Sequence, residues 1–354
     1  MCKYTTLEDK KKYLQTKKIM TSEELWSFVD GCKKNDRFVY RGVNEAQYMG
    51  FSSAQVRTGA SLDQQTYVKI ISDAIRKVRE SDYLMDYIRK NSKDETDFQI
   101  LALMQHYGCG TPVIDYSTSI DSALFFATDR QGGKTQNYPI EDQSIDAFIS
   151  IYFFDREDPN HCAVQKFSAR DSERLNELDA EMAIEYGCQY KGISDETINS
   201  LEKLPFEEMA NLQYGGLFSV FGHSNGIIRY IVGDRSIEYN IINERIEAQD
   251  GLFIFNGLSD LPYEKAAYNW YSGIKNYCVD IHKSLESEIV DYLKKNGVTC
   301  CSIYPQTKES KAIFEELNSL DIDKRLKPKS VICKKKCFLL DMWGWVKRLF
   351  CSKR

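Results

Sequence analysis

Apolar positions along this chain switch between helical and strand spacing without a fixed order. From Leu62 to Lys90 a helical stripe of Tyr67, Ile70, Ile71, Ala74, Ile75 and Val78 predicts a long helix, broken near Ser81-Asp82. Thr21-Ser22-Glu23-Glu24 has capping-box spacing and opens a helix through about Lys33. Asp94 or Thr96 caps a further helix, with Phe98, Leu101, Ala102 and Tyr107 on its apolar face, and Gly108 stops it. Ser284 to Asn296 is amphipathic through Leu285, Ile289, Tyr292 and Leu293, with Gly297 just beyond its end. Asn243–Ala248, Leu261–Tyr271 and Lys308–Leu320 also read as helix.

Strand signals lie between these helices. Ile145 to Phe154, nearly all apolar or β-branched, predicts a central strand covered on both faces. Phe38–Gly42, Tyr277–Ile281 and Val298–Ile303 read as shorter strands. Gln213–Phe218 and Gln249–Phe253 each read as a turn entering a strand, and Gly50–Gly59 as loop. The irregular alternation predicts an α+β fold, a single mixed-sheet domain with flanking helices over about residues 21–320. Residues 1–20 form an N-terminal segment, about 160–210 an acidic helical insertion, and 321–354 a basic amphipathic tail.

One crossover concentrates the chemistry. The helix ending at Gly108 is followed by a turn, a short apolar strand, and then Asp115, Tyr116 and Ser117-Thr118-Ser119. A second helix starts there with Ala123-Leu124-Phe125-Phe126-Ala127 on its buried side. His106, Asp115 and the hydroxyl triplet are thereby expected near a strand end and a helix start, where free N–H groups suit an anion. The same residues equally suit a structural role, Ser119 as N-cap and Asp115 as a turn anchor. Arg41 ends the Phe38–Gly42 strand and is either a solvated strand end or a fixed fork for phosphate or carboxylate. Gly42 beside it lets the backbone bend or a ligand approach.

Charge changes the picture at the end of the chain. The net charge is −5, but residues 327–354 hold nine Lys or Arg against Asp341, a net +8, so residues 1–326 carry −13. An acidic body argues against an extended nucleic-acid groove. No signal peptide or membrane-length apolar run is visible, and the 11 cysteines read as reduced thiols, giving a cytoplasmic expectation. The tail mixes Phe338, Leu339, Leu340, Trp343 and Trp345 with lysines and arginines, the composition of a peripheral anchor on the inner face of an anionic membrane or of a partner-binding helix. Cys333-x3-Cys337 lacks a second ligand pair, so no metal is expected.

Three ordered motifs resemble the FRG domain family: Tyr40-Arg41-Gly42; Gln105-His106-Tyr107-Gly108 with Thr111, Asp115 and Ala123–Ala127; and Asn243, Arg245, Ile246 and Ala248-Gln249 before Gly251-Leu252-Phe253. The sequence departs from the family's usual pattern at Gly110, Pro112, Tyr116 and Ser117. Many members of the family look like parts of prokaryotic antiviral or toxin systems, so the resemblance implies an intracellular effector. A further likeness, of Arg41, Ser117-Thr118-Ser119 and Gln249-x-Gly251, is to the ADP-ribosyltransferase pattern. It implies NAD as co-substrate, with Arg41 clamping its pyrophosphate and the serines orienting the nicotinamide ribose. The candidate site is then Arg41, Gly42 and Ser119 for holding the cofactor and His106, Asp115, Ser117, Gln249 and Asp250 for catalysis, and Arg41, His106, Asp115 and Gln249 are expected to line one cleft. Where that pattern has a carboxylate this chain has Gly251, next to Asp250. The alternative is a non-catalytic module that binds a nucleotide-like small molecule or a partner protein.

Overall fold

The computed structural model describes residues 3–91, 95–129, 138–155, 205–211, 217–223, 227–232, 235–240, 244–270 and 276–326. The insertion read at about 160–210 and the tail lie outside these residues, except for 205–210 and 321–326. Nine strands form one mixed sheet: β1 (Leu14–Ile19), β2 (Phe38–Val43), β3 (Val113–Ser117), β4 (Phe148–Asp155), β5 (Leu217–His223), β6 (Ile227–Val232), β7 (Arg235–Asn240), β8 (Gly251–Asn256) and β9 (Asn276–His282). Their order is β1-β9-β4-β2-β3-β8-β5-β6-β7. Among the described strands only β1 against β9 is parallel. This is the mixed-sheet α+β architecture that the irregular alternation predicts. β4, the most apolar strand, runs between β2 and β9 with its interior residues buried on both faces.

Strand alternation divides the sheet into two faces. Tyr40, Ile149, Ile151, Val279 and Ile281 point to one face, under α2 (Ser22–Lys33), α7 (Ile120–Thr128) and α11 (Glu286–Lys295). On the same face, Val113, Phe253 and Phe255 pack beneath α4 (Gln64–Arg79), α5 (Asp82–Asn91), α6 (Asp97–His106) and α13 (Lys308–Ser319). The opposite face carries Val39, Ile114, Tyr116, Leu252 and Ile254 under α10 (Tyr263–Trp270), with α1 (Leu7–Lys10) alongside. Fully burying one such large apolar side chain is worth about 1.5–3 kcal/mol, so these layers dominate the stability.

Local signals decide where helices start. Thr21 caps α2 by accepting from Glu24 N at 3.3 Å, while the Glu24 carboxylate reaches back to Met20 N at 2.9 Å. Thr96 caps α6 in a reciprocal capping box with Gln99, and Ser119 caps α7. α6 ends at Tyr107, where Gly108 takes a left-handed φ of 83°. Short helices complete the face around the crossover: α3 (Ser53–Thr58), α8 (Phe206–Asn211), α9 (Glu244–Ala248) and α12 (Cys300–Ile303).

Three expectations are corrected. Gly50–Gly59 is not all loop: Ser52 and Gln55 form a capping box that starts α3, and left-handed Gly59 ends it. Val298–Ile303 is not a strand. Thr299 and Ser302 cap each other and set the short helix α12, and the free edge of β9 that a further strand would need is taken by β1. The N-terminal segment contributes β1, which its lysine-rich sequence does not announce.

Candidate functional site

β2 and β3 are joined differently from the other neighbours in the sheet. They are bridged at one pair only, Tyr40 with Ser117, whereas β2 pairs with β4 over six residues and β3 with β8 over five. Beyond that bridge the ladder would set Arg41 against Tyr116 and Gly42 against Asp115, but the strands part. The Arg41 guanidinium fills the gap, with Nη1 donating to the Asp115 carbonyl at 2.8 Å. Its other N–H groups have no partner among the described residues, and the side chain is half-buried.

The Asp115 carboxylate leaves β3 on the helix-covered face, where Gln105 meets it. Gln105 Nε2 donates to Asp115 Oδ2 at 2.6 Å, and Gln105 Oε1 accepts from Ser53 Oγ at 2.8 Å and Thr111 Oγ1 at 2.5 Å. Ser53 Oγ also accepts from Thr111 N at 2.9 Å. The last turn of α6, the first turn of α3 and the start of β3 are thus sewn together around one amide side chain. Burial raises the Asp115 carboxyl above the usual range, while the Arg41 charge and the Gln105 hydrogen bond pull it down. Such a group, held in place and half-buried, can accept a hydrogen bond from a ligand or, once protonated, donate one.

His106, the next residue on α6, points elsewhere. Its ring lies edge-on to Phe253 at 5.0 Å, and its Nε2 is buried without a hydrogen-bond partner. Burial, then the Arg245 charge, pushes its pKa down to about 3, so the ring is neutral. Arg245 Nη1 donates to the His106 carbonyl at 2.7 Å, and its guanidinium lies 4.9 Å from the centre of the Tyr107 ring. Nearby, Gln249 is buried, with Nε2 donating to the Ile303 carbonyl at 3.2 Å. Ser117 Oγ donates to the Gln249 carbonyl at 2.7 Å and accepts from Ser119 N at 2.9 Å. Asp250 turns into β8 with a left-handed φ of 46°, and burial raises its carboxyl.

Residues 36–136 match the family model described as FRG domain. The chain carries an FRG domain. No curated protein and no solved structure matches the chain. The matched region runs from the approach to β2 through α7, so it contains Arg41, the Gln105–Asp115 clasp and the β2–β3 seam. Gln249 and Asp250 lie beyond it.

The structure distributes the predicted site residues of the FRG domain and its neighbours over both faces of the sheet. Asp115, His106 and Gln249 belong to the helix-covered face. Arg41 belongs to the opposite face by strand alternation and reaches Asp115 only through its backbone, so the expectation of one cleft for all four is corrected. Gly42 is not a point of ligand approach. A Cβ there would stand 1.8 Å from the Ala123 carbonyl oxygen, because α7 crosses β2 at this position. Ser117 is buried with its hydroxyl committed, and Ser119 serves as the α7 N-cap. Ser53 is not among the residues predicted for the site, and Gln105 and Arg245 are legible only as parts of motifs. Ser53 lay in an apparent loop, and Arg245 sits four residues before Gln249 on a helix of a single turn.

Proposed function

We propose that the FRG domain binds a nucleotide of the NAD type at the β2–β3 seam, within an intracellular effector of antiviral-defence or toxin character. The observation that carries this reading is Arg41. Its fork is oriented by the Asp115 carbonyl, its remaining donors are uncommitted among the described residues, and its charge acts on the Gln105-clasped Asp115 carboxyl, which leaves β3 on the other face of the sheet. A pre-set arginine suits a phosphate, and a neighbouring acid suits a ribose hydroxyl or an amide. The effector setting rests on the family resemblance.

ADP-ribosyl transfer is the second reading. It is favoured by the row Tyr40–Ser117–Gly251, which puts the three motif segments on adjacent strands. Two observations weigh against it. The position of the transferase carboxylate is Gly251, where a Cβ would already come within 3.2 Å of the Ile246 carbonyl oxygen. The Ser117 hydroxyl is spent inside the protein. The residues therefore fit holding the ligand better than cleaving it.

Calorimetric titration of the full chain with NAD and with ADP-ribose tests binding, and incubation with labelled NAD tests transfer. Saturable binding abolished by Arg41→Ala, without released nicotinamide, supports the module. Label on protein or nucleic acid supports the transferase, and neither binding nor turnover removes both readings. The tail lies outside the described residues, and we assign it peripheral attachment to an anionic inner-membrane face. Among the described residues no helix is long and apolar enough to cross a membrane.

A further inference from the structure

The last described segment of the chain docks on the FRG motif itself. After α13, Asp321 turns with a left-handed φ of 49°, and the 3-10 turn Ile322–Leu326 lies against Gly108–Gly110. Asp323 uses both carboxylate oxygens there. Oδ1 accepts from Gly110 N at 2.9 Å, and Oδ2 pairs with Arg57 Nη1. Arg57 in turn donates through Nη2 to the Gly108 carbonyl. Leu326 closes over Gly110, where a Cβ would stand only 2.3 Å from its Cδ1. Arg57 sits in the last turn of α3, and Ser53 in its first. At that other end Ser53 holds Gln105 and Thr111, and Ala54 N donates to the Thr111 carbonyl at 2.9 Å. One short helix is therefore fastened at its C-terminal end by Asp323 and at its N-terminal end to the residue that clasps Asp115.

We propose that Asp323 is a positioning residue for Asp115, acting through Arg57, α3, Ser53 and Gln105. The ligand role of Asp115 rests on the function proposed above; the mechanical link does not. α3 is too short to hold a conformation by itself, since isolated helices of this length are unstable in water. Its place is set by the contacts at its two ends together with the buried Ala54 and the Gln55 amide, which donates to the Leu261 carbonyl at 2.9 Å. Releasing the Asp323 end lets α3 and the Gly108–Thr111 turn relax, and the Ser53–Gln105–Asp115 chain lengthens. The titratable groups around Asp115 are the charged Arg41 on β2 and, from the loop after α12, the Tyr304 phenol, which burial keeps neutral.

The sign of one titration decides the matter. The Gln105 hydrogen bond favours the charged Asp115 carboxyl, so loosening it raises the Asp115 midpoint. Removing the Asp323 charge by simple electrostatics has the opposite effect, because losing a nearby negative charge lowers that midpoint. Carboxyl-carbon NMR of full-length protein follows Asp115 directly, with Asp115→Asn used to assign its resonance. Asp323→Asn is expected to shift the Asp115 midpoint upward. In a Gln105→Met background the same substitution is expected to produce no upward shift. Arg57→Lys, which keeps the charge but gives up the second arm to Gly108, is expected to shift it upward as well and serves as the reading if Asp323→Asn fails to fold. A downward or absent shift in the folded variants overturns the proposal. So does an upward shift that persists without Gln105. Because no ligand is present, this result stands or falls separately from NAD binding.

Discussion

Gly42→Ala separates packing from ligand recognition at the point where α7 crosses β2. The added methyl carbon would lie 1.8 Å from the Ala123 oxygen and 2.8 Å from both Ala123 C and Ala127 N. Real Cβ contacts essentially never fall below 3.0 Å, so α7 must withdraw from β2 by about 1.2 Å or more. The obstacle is helix backbone, and no rotamer change relieves it. Overpacking a core typically costs about 1–3 kcal/mol, and the absence of a flexible neighbour puts this case at or above about 3 kcal/mol. For a chain of this size that corresponds to a fall in melting midpoint of roughly 4 °C or more. α7 also carries Ile120, Ala123, Leu124 and Ala127 into the core, so the loss extends beyond one contact. Urea and thermal unfolding of the full chain, followed by circular dichroism, measure it. A variant that unfolds at the parental midpoint but loses NAD binding would refute the packing argument and return Gly42 to the ligand.

Three further outcomes are expected. Arg41→Lys keeps the charge but loses the fork, so calorimetry should show NAD affinity reduced about tenfold or more with the melting midpoint nearly unchanged; undiminished affinity would remove the clamp. His106 titrates at about 3 when folded, against 6.5 ordinarily, so the unfolded chain takes up a proton that the folded one refuses. Its contribution to stability therefore falls as pH drops from 6.5 toward 3, by up to about 1.4 kcal/mol per pH unit, and urea melts of His106→Phe across pH 4–7 should lack that slope. Replacing Lys334, Lys335, Lys336, Lys347 and Arg348 by Gln in the full chain should abolish flotation with anionic vesicles at low salt, since each basic residue contributes about 1 kcal/mol near such a surface; equal flotation of the variant would assign the tail another role.

Much of the fold is legible because its boundaries are chemical. Thr21, Thr96 and Ser119 are helix caps in sequence and in structure, and Gly108 and Gly297 take the left-handed conformations their positions suggest. What escaped depends on distant partners. Val298–Ile303 has strand composition, but the β9 edge was already occupied by residues from the other end of the chain. The function of Gly42 is fixed by α7, which lies some eighty residues further on. At the site, the motif marks the right neighbourhood without revealing direction. Neither the single-pair bridge nor the opposite facing of Arg41 and Asp115 can be read from Tyr40-Arg41-Gly42 and Asp115 alone, since cross-strand register is not written in either segment.

The parallel pairing of β1 with β9 also imposes an order of assembly. Leu14–Ile19 emerges from the ribosome before its partner Asn276–His282, which follows roughly 260 residues later. At ordinary synthesis rates that is an interval of roughly 13–50 s during which β1 has no strand to join. Lys10 shares the wait, because its buried partner Asp280 belongs to the same late strand. The sheet is therefore closed at this edge only after Asn276–His282 has been made, and a nascent chain arrested before Asn276 should keep Leu14–Ile19 open to protease while a chain released after His282 protects it.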